Sequence, residues 1–124
     1  MDNKTLRLVA IVDDDQSVRD SISSLLRSAG YKTVDFPSAE AFLTSSHRDE
    51  PQCLVLDVVM PGLNGLELQR QLRAKRCLTP VVFITARADD NEIRTAALRG
   101  GARAFLSKPC SDDLLLTAIG SALE

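Results

Sequence analysis

The sequence predicts an α/β domain in which helices cover both faces of a five-stranded parallel sheet. Short apolar runs alternate with longer amphipathic segments along the 124 residues, as expected for such a sheet. The apolar runs contain few polar residues, which is typical of strands that are buried on both faces. Four of the runs also lead directly into polar residues. Ligand sites of open α/β sheets lie at these strand ends, so the pattern predicts the place of a site as well as a fold.

The predicted strands lie at residues 6–12, 31–36, 52–57, 81–85 and 104–107. We expect the doubly wound, flavodoxin-like strand order 2-1-3-4-5. Predicted helices occupy residues 16–29, a short segment after Ser38, 66–75, 90–99 and 112 to the end. In the first helix, apolar residues recur at intervals of three and four and form one face, and Asp15 is placed to cap its start.

The composition excludes several classes of protein. The net charge of −2 gives no electrostatic basis for contact with nucleic acid or with an anionic membrane surface. No run approaches the ~18 apolar residues of a membrane-spanning helix. The first residues also lack the basic and apolar segments of a signal peptide. We therefore expect one cytoplasmic domain.

The three cysteines lie far apart and have no CxxC spacing, which argues against disulfides and against a zinc site. Cys53 opens an apolar run and is expected in the core. The charge of Lys108 favours a reactive thiolate at nearby Cys110, although we expect no redox function there.

Acidic residues follow two of the predicted strands. Asp13, Asp14 and Asp15 follow the first strand, and Asp57 ends the third. Parallel strands end side by side, so these carboxylates are expected to meet. Carboxylates so crowded are stable together only if a cation joins them. Mg²⁺ binds one or two protein carboxylates together with water and phosphate oxygens, so the pattern predicts a magnesium site.

Three residues carry the predicted phosphoryl chemistry. An aspartate carboxylate accepts a phosphoryl group as an acyl phosphate, which makes Asp57 the predicted nucleophile. Thr85 ends the fourth strand and offers a hydroxyl donor, while Lys108 follows the fifth and offers a compact positive charge. Alone, each has a structural explanation, as a β-forming threonine and a surface lysine. Together at strand ends, they indicate Mg²⁺-assisted phosphoryl transfer.

Several of these segments resemble one known family. IVDDD at 11–15, LDVVMPGLNG at 56–65, FITA at 83–86 and the pair Lys108-Pro109 are similar, in order and spacing, to the receiver domain of bacterial two-component response regulators. The resemblance covers residues 1–124, as a stand-alone domain or as the N-terminal part of a longer regulator. It is closest to regulators that carry a helix-turn-helix output domain.

The resemblance implies a role for each acidic residue. Asp57 would be the phosphoacceptor, receiving its phosphoryl group from a phosphohistidine of a sensor histidine kinase. Asp13 and Asp14 would form the acidic pocket, and Asp14, Asp57 and the backbone carbonyl of Val59 would bind Mg²⁺. Such a domain is not otherwise an enzyme, since it catalyses only its own phosphorylation and dephosphorylation.

The resemblance also implies a conformational switch. Thr85 and Lys108 would hold the phosphoryl oxygens, and Phe105 would move from outside into the space that Thr85 vacates. The fourth helix, fifth strand and last helix would then present a new surface for a phosphorylation-dependent homodimer or for a DNA-binding output domain. Pro109 would follow a cis peptide bond, which is plausible because cis bonds occur at proline.

Two positions are expected to set the lifetime of the phosphoryl group. In receivers, the residues two after the phosphoacceptor and two after the switch threonine flank the approach of water. Here they are Val59 and Arg87. Valine has no group that can orient water, so hydrolysis should be slow.

Two alternatives use the same fold. A phosphatase of the haloacid dehalogenase type would use Asp13 as nucleophile in the Asp-x-Asp of residues 13–15, but Gln16-Ser17 departs from its pattern and Asp57 would have no role. A flavodoxin-like mononucleotide binder needs an anion cradle after the first strand, and the aspartates there would repel a phosphate.

Overall fold

The computed structural model describes residues 7–46 and 48–124. Its strands are β1 (Leu8–Val12), β2 (Lys32–Phe36), β3 (Cys53–Asp57), β4 (Val81–Thr85) and β5 (Ala104–Ser107). Its helices are α1 (Gln16–Ser28), α2 (Ala39–Thr44), α3 (Gly65–Ala74), α4 (Asn91–Arg99) and α5 (Asp112–Ala122). The ten predicted elements are therefore confirmed, with bounds within two residues. The predicted start of the first strand, Leu6, lies outside the described residues.

The strands form one parallel sheet in the order β2-β1-β3-β4-β5, which confirms the predicted topology. The register pairs Val12 with Leu56, and Asp57 with Ile84. The carboxyl ends of β1, β3 and β4 are consequently level with one another at one edge of the sheet. Every residue of β3 and β4 is buried, so their ends are held firmly by the core.

The sheet separates two hydrophobic cores. Alternate strand residues face opposite sides, so Leu54 and Leu56 pack against α2, α3 and α4, while Val55 packs against α1 and α5. Phe42 is a large buried side chain of the first core and Ile119 of the second. Each described helix begins at a side chain that accepts hydrogen bonds from its first turn, as Asp15 was predicted to do for α1.

Two side chains of α3 hold the carboxyl end of α4. Gln69, which is buried, donates from Nε2 to the carbonyl of Ala97 at 2.9 Å, and Arg73 donates from Nη1 to the carbonyl of Gly100 at 2.7 Å. A side chain at Gly100 or at Gly101 would collide with Gln69 or Arg73, respectively. Glycine therefore permits the close approach of α3 to the end of α4.

None of the helices within the described residues is long and apolar enough to cross a membrane.

Candidate functional site

Three of the predicted site residues, Asp13, Asp57 and Lys108, meet at the carboxyl edge of the sheet. Lys108 follows β5 and donates from Nζ to Asp57 Oδ2 at 2.9 Å. The same Nζ lies 2.9 Å from Oδ2 of Asp13, which directly follows β1. Asp13 is 1% exposed and Asp57 is 5% exposed. One ammonium group therefore faces two nearly buried carboxylates.

Asp14 completes the acidic cluster on its solvent side. Its side chain is exposed, and carboxylate oxygens of Asp13, Asp14 and Asp57 all lie within 4.8 Å of one another. Asp13 Oδ2 accepts no well-aligned hydrogen bond from residues 7–46 or 48–124, despite its contact with Lys108. Three carboxylates beside one ammonium leave uncompensated negative charge. These oxygen donors fit a hard divalent cation such as Mg²⁺.

The environment changes the proton affinity of Asp57 and Lys108. Burial raises the pKa of Asp57 above its ordinary value of 3.8, and the hydrogen bond from Lys108 offsets only part of that rise. Partial burial acts to lower the pKa of Lys108, but its contacts with Asp13 and Asp57 outweigh burial and raise that pKa. Lys108 therefore remains a cation at neutral pH.

Asp15 serves the backbone of the β1–α1 loop and is not part of the acidic cluster of Asp13, Asp14 and Asp57. Its carboxylate accepts from the amide of Ser17 at 2.9 Å and caps α1. Its own amide donates to Asp13 Oδ1 at 2.9 Å. These bonds fix the turn that carries Asp13 and Asp14 past the end of β1.

The β3–α3 loop holds Val59 beside Asp57. The Val59 amide donates to Asp57 Oδ1 at 3.4 Å, while its side chain is 54% exposed. Further along the loop, Glu40 of α2 accepts from the amide of Leu63 at 2.8 Å, and this bond lowers the pKa of Glu40. A side chain at Gly65 would collide with the Asp57 backbone, so glycine lets α3 start against β3.

Thr85 is fully buried at the end of β4. Its hydroxyl accepts from the amide of Arg87 at 3.0 Å, and its carbonyl accepts from the amide of Lys108 at 2.9 Å. The Arg87 guanidinium is exposed and lies 3.6 Å from the carboxylate of Asp90. Arg87 is therefore directed toward Asp90, the capping residue of α4.

Phe105 differs from the expectation that it lies outside before phosphorylation. It is only 7% exposed, its ring centroid lies 6.2 Å from that of Phe83, and the Arg94 guanidinium of α4 lies 5.7 Å from its ring. The β4–β5 register pairs Phe83 with Phe105, so the side chain is directed toward the core that α4 covers. The expected cis peptide bond between Lys108 and Pro109 is present.

The cysteines give no support to thiol chemistry. Burial raises the pKa of Cys53 to about 12, as expected for a core residue. Partial burial and the nearby Asp112 carboxylate raise the pKa of Cys110. The thiolate-promoting effect anticipated from Lys108 is therefore not what the structure shows.

Two residues at the margin of the site were not singled out from the sequence. Glu40 holds the loop that follows Asp57, and Arg19 of α1 donates to the backbone carbonyl of Asp13 at 2.7 Å. No sequence motif marks Glu40, because the residue that it contacts lies 23 positions further along the chain. The only sequence signal at Arg19 is its position one turn after the acidic run, and a residue at such a position in a helix is ordinarily exposed.

Fold and site together define a class of protein. It comprises doubly wound α/β domains in which an acidic cluster, a buried hydroxyl and a lysine share the carboxyl edge of the sheet. Within that class, residues 9–120 match the model of the response regulator receiver domain. The chain belongs to this family and is a receiver domain of two-component response regulators.

Similar proteins agree with this assignment. Nodulation protein W of Bradyrhizobium diazoefficiens is 43% identical over 120 residues, which are 97% of this chain and 52% of that protein. Transcriptional regulatory protein FixJ of the same organism is 38% identical, over 94% of this chain and 56% of that protein. The chain thus spans about half the length of these curated relatives. The solved structure of response regulator StyR matches with a TM-score of 0.86 and 46% identity, over 94% of this chain and 59% of that one.

The haloacid dehalogenase alternative gave Asp13 the role of nucleophile. That interpretation is not supported, since the family model spans nearly the whole chain. In the structure, Asp57, to which that alternative gives no role, lies in the same cluster as Asp13. The mononucleotide-binding alternative has no support either.

Proposed function

We propose that the domain accepts a phosphoryl group on Asp57 from a phosphohistidine of a sensor histidine kinase, with Mg²⁺ bound at the acidic cluster. The observation that carries this proposal is the position of Asp57. Its carboxylate contacts the Lys108 ammonium and lies within 4.8 Å of carboxylate oxygens of Asp13 and Asp14, at the edge of the sheet where ligands bind.

In the proposed step, a carboxylate oxygen of Asp57 attacks phosphorus in line with the phosphohistidine bond. The phosphorus–nitrogen bond breaks, its electron pair stays on the histidine nitrogen, and an acyl phosphate forms on Asp57. Mg²⁺, when bound, supplies positive charge to the phosphoryl oxygens. Asp14, Asp57 and the Val59 carbonyl would hold the ion, and Asp13 would support them. Lys108 is released from part of its contact with Asp57 to face a phosphoryl oxygen.

Thr85 would report the phosphoryl group to the rest of the domain. Its hydroxyl accepts from the Arg87 amide, and turning that hydroxyl toward a phosphoryl oxygen would alter the β4–α4 loop. Phe105 and Arg94 lie on the path to α4 and β5. Because Phe105 is already buried, the switch would act by stabilising this inward arrangement.

The output is proposed to be transcriptional. A relative named as a transcriptional regulatory protein is almost twice as long as the matched segment. We therefore propose that residues 1–124 act as the N-terminal receiver of a longer regulator with a helix-turn-helix output domain, in the cytoplasm. The receiver itself would contact neither nucleic acid nor membrane, given its net charge of −2.

Incubation with acetyl phosphate and Mg²⁺ tests the proposal, with intact-mass spectrometry as the readout. Wild type and the control Asp20→Asn, which alters an exposed acid of α1, should gain one phosphoryl group. Asp57→Asn should gain none. Equal phosphorylation of Asp57→Asn and wild type would refute the assignment of Asp57.

A further inference from the structure

Arg19 is a largely buried cation that the proposed phosphoryl chemistry does not use. It lies in the first turns of α1 and its side chain is 12% exposed. Its Nη1 donates to the main-chain carbonyl of Asp13 at 2.7 Å, and its Nε lies 2.9 Å from Oδ2 of Asp35 on β2. A guanidinium presents several donors in a rigid planar fork, so one side chain can bind both partners at once.

Asp35 determines the direction of the fork. A buried guanidinium is unfavourable unless it is paired, and the Asp35 carboxylate provides that pairing. Asp35 lies opposite Ile11 in the β1–β2 register, two residues before Asp13 leaves the sheet. The ion pair therefore holds Arg19 over the end of β1, where its second nitrogen reaches the Asp13 carbonyl.

The Asp13 backbone is consequently held on both sides. Its amide donates to the carbonyl of Phe36 at 3.2 Å, and its carbonyl accepts from Arg19. The bond from Arg19 orients the Asp13–Asp14 peptide plane, while the bond to Phe36 orients the preceding Val12–Asp13 plane. The Asp13–Asp14 plane in turn directs the Asp14 side chain. The Asp14 carboxylate itself has no hydrogen bond or ion pair with residues 7–46 or 48–124 that would orient it independently. Its position in the cluster therefore depends on the backbone.

Two effects of Arg19 on a bound cation oppose each other. Its positive charge would repel Mg²⁺, whereas its hydrogen bond pre-organises the carboxylate ligands. The charge is already neutralised at 2.9 Å by Asp35, so its repulsion at a distance is weak. The hydrogen bond to the Asp13 carbonyl is not weakened in this way. The effect of Arg19 on the orientation of the ligands should therefore outweigh its repulsion of Mg²⁺.

We infer that Arg19 is a positioning residue for the proposed Mg²⁺ site, held in place by Asp35 and acting through the backbone carbonyl of Asp13. The inference rests on the proposed function, because it concerns the affinity of that same site. Partners that orient metal ligands typically contribute 10- to 100-fold to metal affinity. We expect a loss near the lower end of that range, since Arg19 contacts the backbone and not a ligand oxygen.

Titration of the full 124-residue chain with MgCl₂ by isothermal calorimetry tests this inference. Arg19→Lys keeps the charge but loses the fork, and Arg19→Gln loses both. If Arg19 positions the ligands, both variants should bind Mg²⁺ about tenfold more weakly. Asp35→Asn should cause a smaller loss, because the amide still accepts from Nε. Arg27→Lys, at an exposed position at the other end of α1, should match wild type.

A second readout does not involve the ion. In Mg²⁺-free protein, the ¹³C chemical shift of the Asp13 carbonyl and the ¹⁵N shift of the Asp14 amide should move in Arg19→Lys and stay unchanged in Arg27→Lys. Far-UV circular dichroism establishes that each variant is folded.

The outcomes separate the inference from the proposed function. If wild type binds no Mg²⁺, or binds it as tightly as Asp14→Ala does, the proposed metal site is wrong and the inference falls with it. If wild type binds Mg²⁺, Asp14→Ala does not, and Arg19→Lys equals wild type, only the inference is overturned. Tighter binding by Arg19→Gln with unchanged binding by Arg19→Lys would show that Arg19 acts by charge alone.

Discussion

At the scale of single residues, the site balances one cation against several anions. Lys108 contacts Asp13 and Asp57 at the same distance of 2.9 Å, while Asp14 remains on the solvent side of the cluster. Breaking a buried ion pair by removing one partner leaves an uncompensated charge. Lys108 is therefore expected to stabilise the unphosphorylated domain by pairing with the two carboxylates. During phosphoryl transfer, it is expected to face a phosphoryl oxygen.

The raised pKa of Asp57 predicts how stability varies with pH. Because the folded chain favours the protonated carboxyl, its stabilising contribution is complete below pH 3.8 and is lost as pH rises through the folded pKa. Asp57→Asn cannot ionise. In Mg²⁺-free buffer, the variant should therefore gain free energy of unfolding relative to wild type as pH rises from 3.8 through that window. Urea denaturation at a series of pH values checks this, and a pH-independent difference would contradict it.

Val59 predicts a long-lived acyl phosphate. Its exposed side chain lies beside Asp57 and has no donor or acceptor to orient an attacking water. Arg87, which the family resemblance assigns to the other flank, lies 3.6 Å from the carboxylate of Asp90. Val59→Asn should speed loss of phosphate about tenfold, which corresponds to ~1.4 kcal/mol in the transition state. Decay is followed by intact mass after removal of the phosphodonor, at fixed Mg²⁺.

Val59→Ala is the control for that experiment, since it removes the two methyl groups of the valine without adding a polar group. Its decay should stay close to wild type. If Val59→Ala loses phosphate as fast as Val59→Asn, the valine side chain acts by shielding the acyl phosphate from water. If neither variant loses phosphate faster than wild type, Val59 does not limit the approach of water.

The site residues that could be predicted from the sequence are those whose reactive side chains lie at strand ends. Asp13, Asp14, Asp57, Thr85 and Lys108 each follow or end an apolar run, and the sheet order brings them to one edge. Arg19 was not predictable, because its role depends on how α1 packs over β2. The burial of Phe105 depends likewise on the placement of α4. Neither is a local property of the sequence.

At the scale of elements, α3 and α4 are joined by polar contacts as well as by apolar packing. Gln69 and Arg73 hold the last carbonyls of α4, where a helix leaves its acceptors without intrahelical partners. The existence and order of the elements followed from the alternation of apolar runs and amphipathic segments. The joint between α3 and α4 did not, because a glutamine on a helix is usually exposed and only the structure shows it buried.

Gly100→Ala should disrupt this joint. Its new Cβ would lie 2.5 Å from Gln69 Oε1, so the buried glutamine must move and lose its bond to Ala97. We expect a loss of about 1–3 kcal/mol in the free energy of unfolding. Urea denaturation measures it. Gly120→Ala is the matched control, since nothing lies within 4 Å of its Cβ in α5, and it should gain about 0.5–1 kcal/mol.

A double-mutant cycle tests the cause. If the collision is responsible, Gly100→Ala should be less harmful when Gln69 is also changed to alanine. Additive effects would show that the loss arises elsewhere in α4.

At the scale of the whole molecule, apolar surface remains on the helices that flank β5. Among the described residues, Leu114 of α5 is 57% exposed, and Leu98 of α4 is also exposed. Leu115, Ile119 and Ala122 form the buried side of α5, and Leu114 extends the apolar surface of the helix beyond the core. Leu98 and Leu114 lie on two of the elements that the family resemblance assigns to a partner surface, and each has apolar area left to bury there.

The phosphorylated domain is therefore predicted to self-associate through α4, β5 and α5. Sedimentation equilibrium should show a dimer whose dissociation constant is at least tenfold lower after incubation with acetyl phosphate and Mg²⁺. Leu114→Ser should weaken it, and Leu78→Ser, which alters a more exposed leucine outside these elements, should not. Monomer alone in both states would refute the prediction.

The sheet, with one core on each side, makes the two halves of the molecule independent under mutation. Changes more than about 7–10 Å apart that share no contacts usually have additive energies. A substitution in the core beneath α1 and α5 should therefore combine additively with one beneath α3 and α4. A lineage can consequently remodel one helical face by successive substitutions without first compensating on the other. Substitutions at the strand ends are the exception and should not combine additively, because residues of both halves contact the same few carboxylates there.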